Sequence, residues 1–216
     1  MTRAQRPRLI PQGYPEGETV GVPVAGLTLT DRYLLEHRLV FLTGNIDQGQ
    51  ADRAVRHLLL LNSLDRRSDI GFYIFSFGGE EYAGLAIYDC MQMIEAPVAT
   101  CAIGAACSMA AVLLAAGDKG KRYATPNAHI MIHQAWASSI SGRVSEVQVA
   151  ASLLTKDQKL LTKILARHTG RDEEEIERAI QQERWMTPHQ AKEFGLIDGV
   201  LSGQPVKLHR ADDSSG

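Results

Sequence analysis

The chain has 216 residues, 44% of them hydrophobic and 22% charged, with a formal net charge of −2, the profile of an ordinary globular protein with one substantial core. The near balance of acid and base leaves no basic stripe, which argues against nucleic acid as a partner. Cys90, Cys101 and Cys107 lie in apolar contexts without Cys-x-x-Cys spacing, too few for a disulfide framework and suited to a reducing compartment.

Residues 1–30 interleave Pro7, Pro11, Pro15 and Pro23 with Gly13, Gly17, Gly21 and Gly26, a pattern that blocks helix and ladder alike and reads as a flexible arm or processed leader. It has no apolar segment of the length a secretory signal needs. From residue 38 onward the pattern predicts a strand at 39–42, a helix at 51–64, a strand at 70–77, a helix at 80–94, a strand at 98–103 and a helix at 106–116. Such alternation implies a mostly parallel α/β sheet. The apolar run at 104–117, about 14 residues, reads as a buried helix and falls short of the ~20 residues that span a bilayer. No membrane segment and a cytoplasmic location are expected.

A short strand follows at 128–132. Val147, Ala151, Leu154, Leu161 and Leu165 then recur at helical intervals and form one apolar stripe on a long, projecting helix. The acidic stretch Asp172-Glu-Glu-Glu175 reads as the first turn of a further helix, where negative charge suits the dipole. Thr187, Pro188 and Gln190 supply an N-cap, a proline at the first helical position and a capping-box glutamine, and Gly195 sits at a C-cap, which predicts a helix over 188–194. No internal repeat is found, and residues 204–216 read as a flexible tail.

Three places carry candidate chemistry. Ser108 is the only hydroxyl between Gly104 and Gly117. A serine in such a run ordinarily bonds back to a carbonyl one turn earlier, but one that follows a Gly-Ala-Ala opening lies near a helix N-terminus, where free N–H groups favour a developing oxyanion. His133 closes an apolar run and is a base candidate, against the commoner fate of a core histidine. Gly78-Gly79 closes a strand-like run and exposes backbone N–H groups, unless it is simply a turn. The Gly-x-Ser-x-Gly signature of the α/β-hydrolases and the dinucleotide-binding Gly-x-Gly-x-x-Gly are both missing.

With these residues in view, the chain from about residue 34 to 201 resembles the proteolytic subunits of the Clp protease family. The likeness rests on Phe41-Leu-Thr-Gly44, Ile87-Tyr-Asp89, Ala106-Cys-Ser-Met109, Gly117-x-Lys-Gly-Lys-Arg122, Pro126-Asn127, Met131-Ile-His-Gln134, His168-Thr-Gly170 and Ile176-Glu-Arg178, in family order. The resemblance implies one α/β domain over residues 31–203, of the Clp-protease and crotonase type, with repeated strand-strand-helix turns and a helical handle. It implies a serine endopeptidase with Ser108 as nucleophile, His133 as base, Glu183 at the third triad position, and the N–H groups of Gly79 and Met109 as the oxyanion hole. No metal and no cofactor are expected. The implied assembly is two stacked seven-membered rings, homomeric or mixed with a paralogous subunit, served by a ring-shaped ATPase unfoldase and degrading unfolded polypeptides to short peptides.

The chain also departs from the family. Glu183 stands for an aspartate, Gln182 for an arginine that links rings to triad, Phe77 for the proline of Ser-Pro-Gly-Gly, and Ala135 for a proline after His-Gln. Gly71 and Phe75 alter the groove for ATPase loops, and the handle loop at 135–142 is less glycine-rich and one residue longer. These departures suit a paralogue that works beside a more typical subunit, and leave open a weakly active or structural ring member. A crotonase-type thioester enzyme is a third reading, though its reacting centre usually carries Glu in place of a Ser–His pair.

Overall fold

The computed structural model describes residues 28–135 and 141–201. The arm expected at 1–30 lies outside them except for Thr28 to Thr30, and the tail at 204–216 lies wholly outside. Thr28 caps α1 (Leu29–Glu36) in a reciprocal capping box with Asp31.

Strand and helix then alternate as β1 (Leu39–Thr43), α2 (Gln48–Leu64), β2 (Ile70–Ser76), α3 (Glu81–Met93), β3 (Val98–Cys107) and α4 (Met109–Ala115). β1 pairs with β2 and β2 with β3, all parallel, as strand–helix–strand units require. Leu42, Phe72, Ile74, Ile87, Leu113 and Leu114 are wholly buried in one continuous core. Near-unbroken apolar sequence in β2 and β3 is what central parallel strands look like.

β3 is bent, and the bend organises the rest of the sheet. Its register with β2 runs Ile74↔Ala102 and then jumps to Ser76↔Ala106. Gly104 takes a φ of +73° inside the jump, and a Cβ there would lie 3.1 Å from the Phe75 ring. Before the bend β3 pairs with β4 (Arg122–Ala124); after it, β3 pairs with β5 (His129–Ile132). The expectation of helix across 104–117 therefore fails at its start. Residues 104–107 are strand, and α4 begins only at Met109. A short run of small apolar residues satisfies a buried strand and a buried helix equally, and pairing to β5 decides the matter.

Beyond β5 lie α5 (Val144–Thr169), α6 (Glu173–Ile180), β6 (Arg184–Met186), α7 (Pro188–Phe194) and β7 (Gly199–Val200). β6 runs antiparallel to β5, and β7 closes the path beside β4. α5 has 26 residues and ends at left-handed Gly170. Only Thr162, Ile164 and Leu165 of it are buried, while Val144, Val149, Leu153 and Leu160 are exposed. Its first half thus stands off the core as the expected handle. Thr187 and Gly195 cap α7 as anticipated. All three cysteines are free and buried, and burial pushes each thiol upward, Cys101 to about 12. Among the described residues, no helix is long and apolar enough to cross a membrane.

Candidate active site

β3 and β5 deliver the two principal side chains to one place. Their parallel register, Ala105↔His129 to Cys107↔Met131, continues one step as Ser108 N–H donates to Met131 O at 2.8 Å. Ser108 then turns the chain from β3 into α4, and His133 follows the end of β5. The outcome is a distance of 2.8 Å between Ser108 Oγ and His133 Nε2.

Ser108 makes that turn at φ 55° and ψ −126°, one of two positive-φ non-glycine residues among those described. A residue with a Cβ is strained there, by ~1–3 kcal/mol. The turn is crowded as well: a Cβ on Gly78 would lie 2.7 Å from Ser108 Cβ. Ala106 and Ala110, two residues to either side of the serine, are both wholly buried. Small side chains at these positions let the strand-to-helix elbow close without the Gly-x-Ser-x-Gly signature.

The Gly78-Gly79 segment is pinned from below. Ile46 N–H donates to Gly78 O at 2.9 Å, and Glu80 N–H donates to Ile46 O at 2.7 Å. This bridge turns the N–H of Gly79 away from Ile46, and a Cβ on Gly79 would lie 2.2 Å from Ile46 O. Ser76, buried, donates to Gly44 O at 2.6 Å and accepts from Gly78 N–H at 3.1 Å. Met109 opens α4, where first-turn N–H groups have no helical partner. Neither the Gly79 nor the Met109 N–H has an acceptor among the described residues.

Glu183 directly precedes β6. The β5–β6 register ends Ile132↔Arg184, and one further step sets Glu183 opposite His133. Its Oε2 instead accepts from Trp185 Nε1 at 3.0 Å, and no hydrogen bond joins it to His133. The residue expected to hold the imidazole is therefore beside it without gripping it. The two do interact through charge: burial holds the imidazole of His133 below its usual range, and the Glu183 carboxylate pushes the other way. A depressed value keeps the imidazole neutral at pH 7, the form that accepts a proton.

A cavity of about 210 Å³ adjoins the pair, with Met109, Val112, Leu161 and Leu165 among its walls. The loop after His133 is tied down by Gln134 N–H to Ile180 O at 2.9 Å and by Ala135 N–H to Gln158 Oε1 at 2.5 Å. Ser76, Gln158 and the cavity-lining Glu81 carry no signal in the sequence that sets them apart. Among the described residues no three His, Cys, Asp or Glu side chains converge to hold a metal ion. A hydroxyl bonded to a neutral imidazole, with two free N–H groups near by, is an arrangement for nucleophilic attack on a carbonyl.

Residues 27–204 match the family model for Clp protease. Over 186 residues the chain is 44% identical to the ATP-dependent Clp protease proteolytic subunit 1 of Rhodopirellula baltica, covering 86% of this chain and 81% of that protein. A match of that extent, on a bent, mostly parallel sheet with a projecting helix, makes this chain a member of the Clp protease family and a Clp-type peptidase.

Proposed function

We propose that the chain is the serine endopeptidase subunit of an ATP-dependent Clp-type protease. The observation that carries this reading is the 2.8 Å contact between Ser108 Oγ and His133 Nε2 at a strained elbow. Ser108 Oγ attacks the scissile carbonyl carbon while His133 takes its proton, and the carbonyl oxygen becomes an oxyanion held by the N–H groups of Gly79 and Met109. His133 then returns the proton to the leaving amine as the C–N bond breaks, which leaves an ester on Ser108. Water, deprotonated by His133, cleaves the ester and releases the carboxylate product. Glu183 stabilises the imidazolium by charge and orients it on release from Trp185.

The assembly proposed is two stacked seven-membered rings, served by a separate ATPase ring that unfolds polypeptides. Supporting it are the exposed apolar residues on the first half of α5, Val144, Val149 and Leu153, which an isolated chain leaves in water, and the name of the Rhodopirellula relative. The buried, free cysteines fit a reducing, cytoplasmic setting.

One observation favours a second reading, a weakly active member of a mixed ring. Glu183 is bonded to Trp185 and not to His133. Labelling the assembled full chain with a fluorophosphonate and assaying peptide hydrolysis, alone and with a paralogous subunit, separates the two. Ser108-dependent labelling with turnover in the homomeric complex supports the first reading. Turnover only in the mixed complex supports the second, and absence of labelling in either refutes the serine mechanism.

A further inference from the structure

Glu81 opens α3 and lines the same cavity as Ser108 and His133. Its Oε1 is shut off from solvent and has no hydrogen-bond partner among the described residues. Buried carboxyl oxygens are ordinarily satisfied, because an orphaned one keeps the full cost of losing water. A group left in this condition beside a reactive pair calls for a partner that arrives from outside.

The surroundings define that partner. The remaining walls include Met109, Val112, Leu161 and Leu165, a lining for an alkyl stem, and among the described residues no lysine or arginine lines the cavity. Two further carboxylates lie close: Glu80 is in the same lining, and Asp157 of α5 acts on Glu81 from across the gap while accepting from Tyr82 Oη at 3.3 Å. Burial first and Asp157 second lift the Glu81 carboxyl to about 7. A neutral donor would satisfy the lone oxygen but leave the like-charge repulsion with Asp157 in place. A cation relieves both, and a carboxylate would worsen both.

Resting on the serine-peptidase reading, we infer that this cavity receives the side chain on the acyl side of the scissile bond and that Glu81 selects lysine or arginine there. The methylene stem lies along the apolar walls while the cationic head meets Glu81. Glu81 is thus a specificity-determining residue with no part in the proton transfers.

The test uses the assembled full chain and two fluorogenic peptides that differ only in the residue before the cleaved bond, lysine in one and leucine in the other. The wild-type chain is expected to favour the lysine peptide in kcat/KM. Glu81→Gln keeps the shape and removes the charge, and should lower the lysine-to-leucine ratio by ~10-fold or more, the scale of a lost charge-assisted hydrogen bond. As a measurement free of turnover, the Ser108→Ala chain should bind the lysine peptide more tightly than the leucine peptide, and addition of Glu81→Gln should erase the difference. A ratio unchanged by Glu81→Gln, or a wild-type preference for leucine, overturns the selection by Glu81. If fluorophosphonate still labels Ser108 in that case, the serine mechanism stands; if neither labelling nor cleavage occurs, both readings fall.

Discussion

Trp185 Nε1–H donates to Glu183 Oε2 at 3.0 Å, and that bond occupies the carboxylate that the β5–β6 register sets opposite His133. Trp185→Phe keeps an aromatic ring and deletes the donor. The freed carboxylate can then accept from His133 Nδ1, and kcat should rise ~5-fold, the scale of one net hydrogen bond, with little change in KM. In a Glu183→Gln background the same substitution should have no effect. Steady-state kinetics of the four proteins decide it, and an unchanged kcat in Trp185→Phe means that the indole does not compete for the carboxylate.

Glu183→Ala should lower kcat far more than it raises KM, by ~10- to 100-fold, because its charge acts on an imidazolium that forms only as reaction proceeds. Equal turnover in the two proteins would show that His133 is oriented by some other group.

The pH profile carries a sign. Burial lowers the His133 value and Glu183 partly opposes it, and the base works in its neutral form. With the leucine peptide, whose cleavage does not draw on the Glu81 charge, the acid limb of kcat/KM should therefore rise with pH through an apparent value below the ordinary 6.5. Glu183→Ala removes the opposing charge and should shift that limb lower still. A limb at or above 6.5 in the wild-type chain would mean that the carboxylate outweighs burial.

Strain at the elbow should be visible in stability. Ser108→Ala and Ser108→Gly both remove the nucleophile and should cut kcat by ~10⁵-fold or more. Only glycine relaxes a φ of 55°, so Ser108→Gly should be ~1 kcal/mol more stable than Ser108→Ala, a gain of ~2–4 °C in Tm. Identical midpoints by calorimetry would argue that the elbow stores no strain.

Gly79→Ala tests the backbone beneath the cavity. The added methyl would lie 2.2 Å from the carbonyl oxygen of Ile46, where only backbone movement can make room, so a large loss of stability and of turnover is expected. Near-wild-type thermal unfolding would show that the Ile46–Gly79 bridge is not rigid.

How far the sequence foretells this structure depends on the range of the interaction concerned. The strand–helix alternation and the caps of α7 are local, and Thr187, Pro188, Gln190 and Gly195 announce them. Ser108 and His133 each stand out from an apolar run, though only the β3–β5 register fixes their separation. The elbow is hidden because Gly104 to Cys107 suits either structure in isolation; Phe75, on a different strand, accompanies the bend at Gly104. Gln158 gives no sign of itself, since its role depends on where a helix crosses a loop 23 residues away in sequence. Glu183 could be aligned by its neighbours, but its bond to Trp185 is a matter of side-chain direction that spacing does not encode.

α5 acts as a lever. A helix of its length spans ~39 Å, with one arm in solvent and the other seated on the core near Leu165. Close to the fulcrum, Gln158 holds the backbone of Ala135, two residues past His133. A hand laid on the free arm would therefore move the loop that follows the base, and a force too distant to touch a substrate could still decide how squarely the imidazole faces its serine.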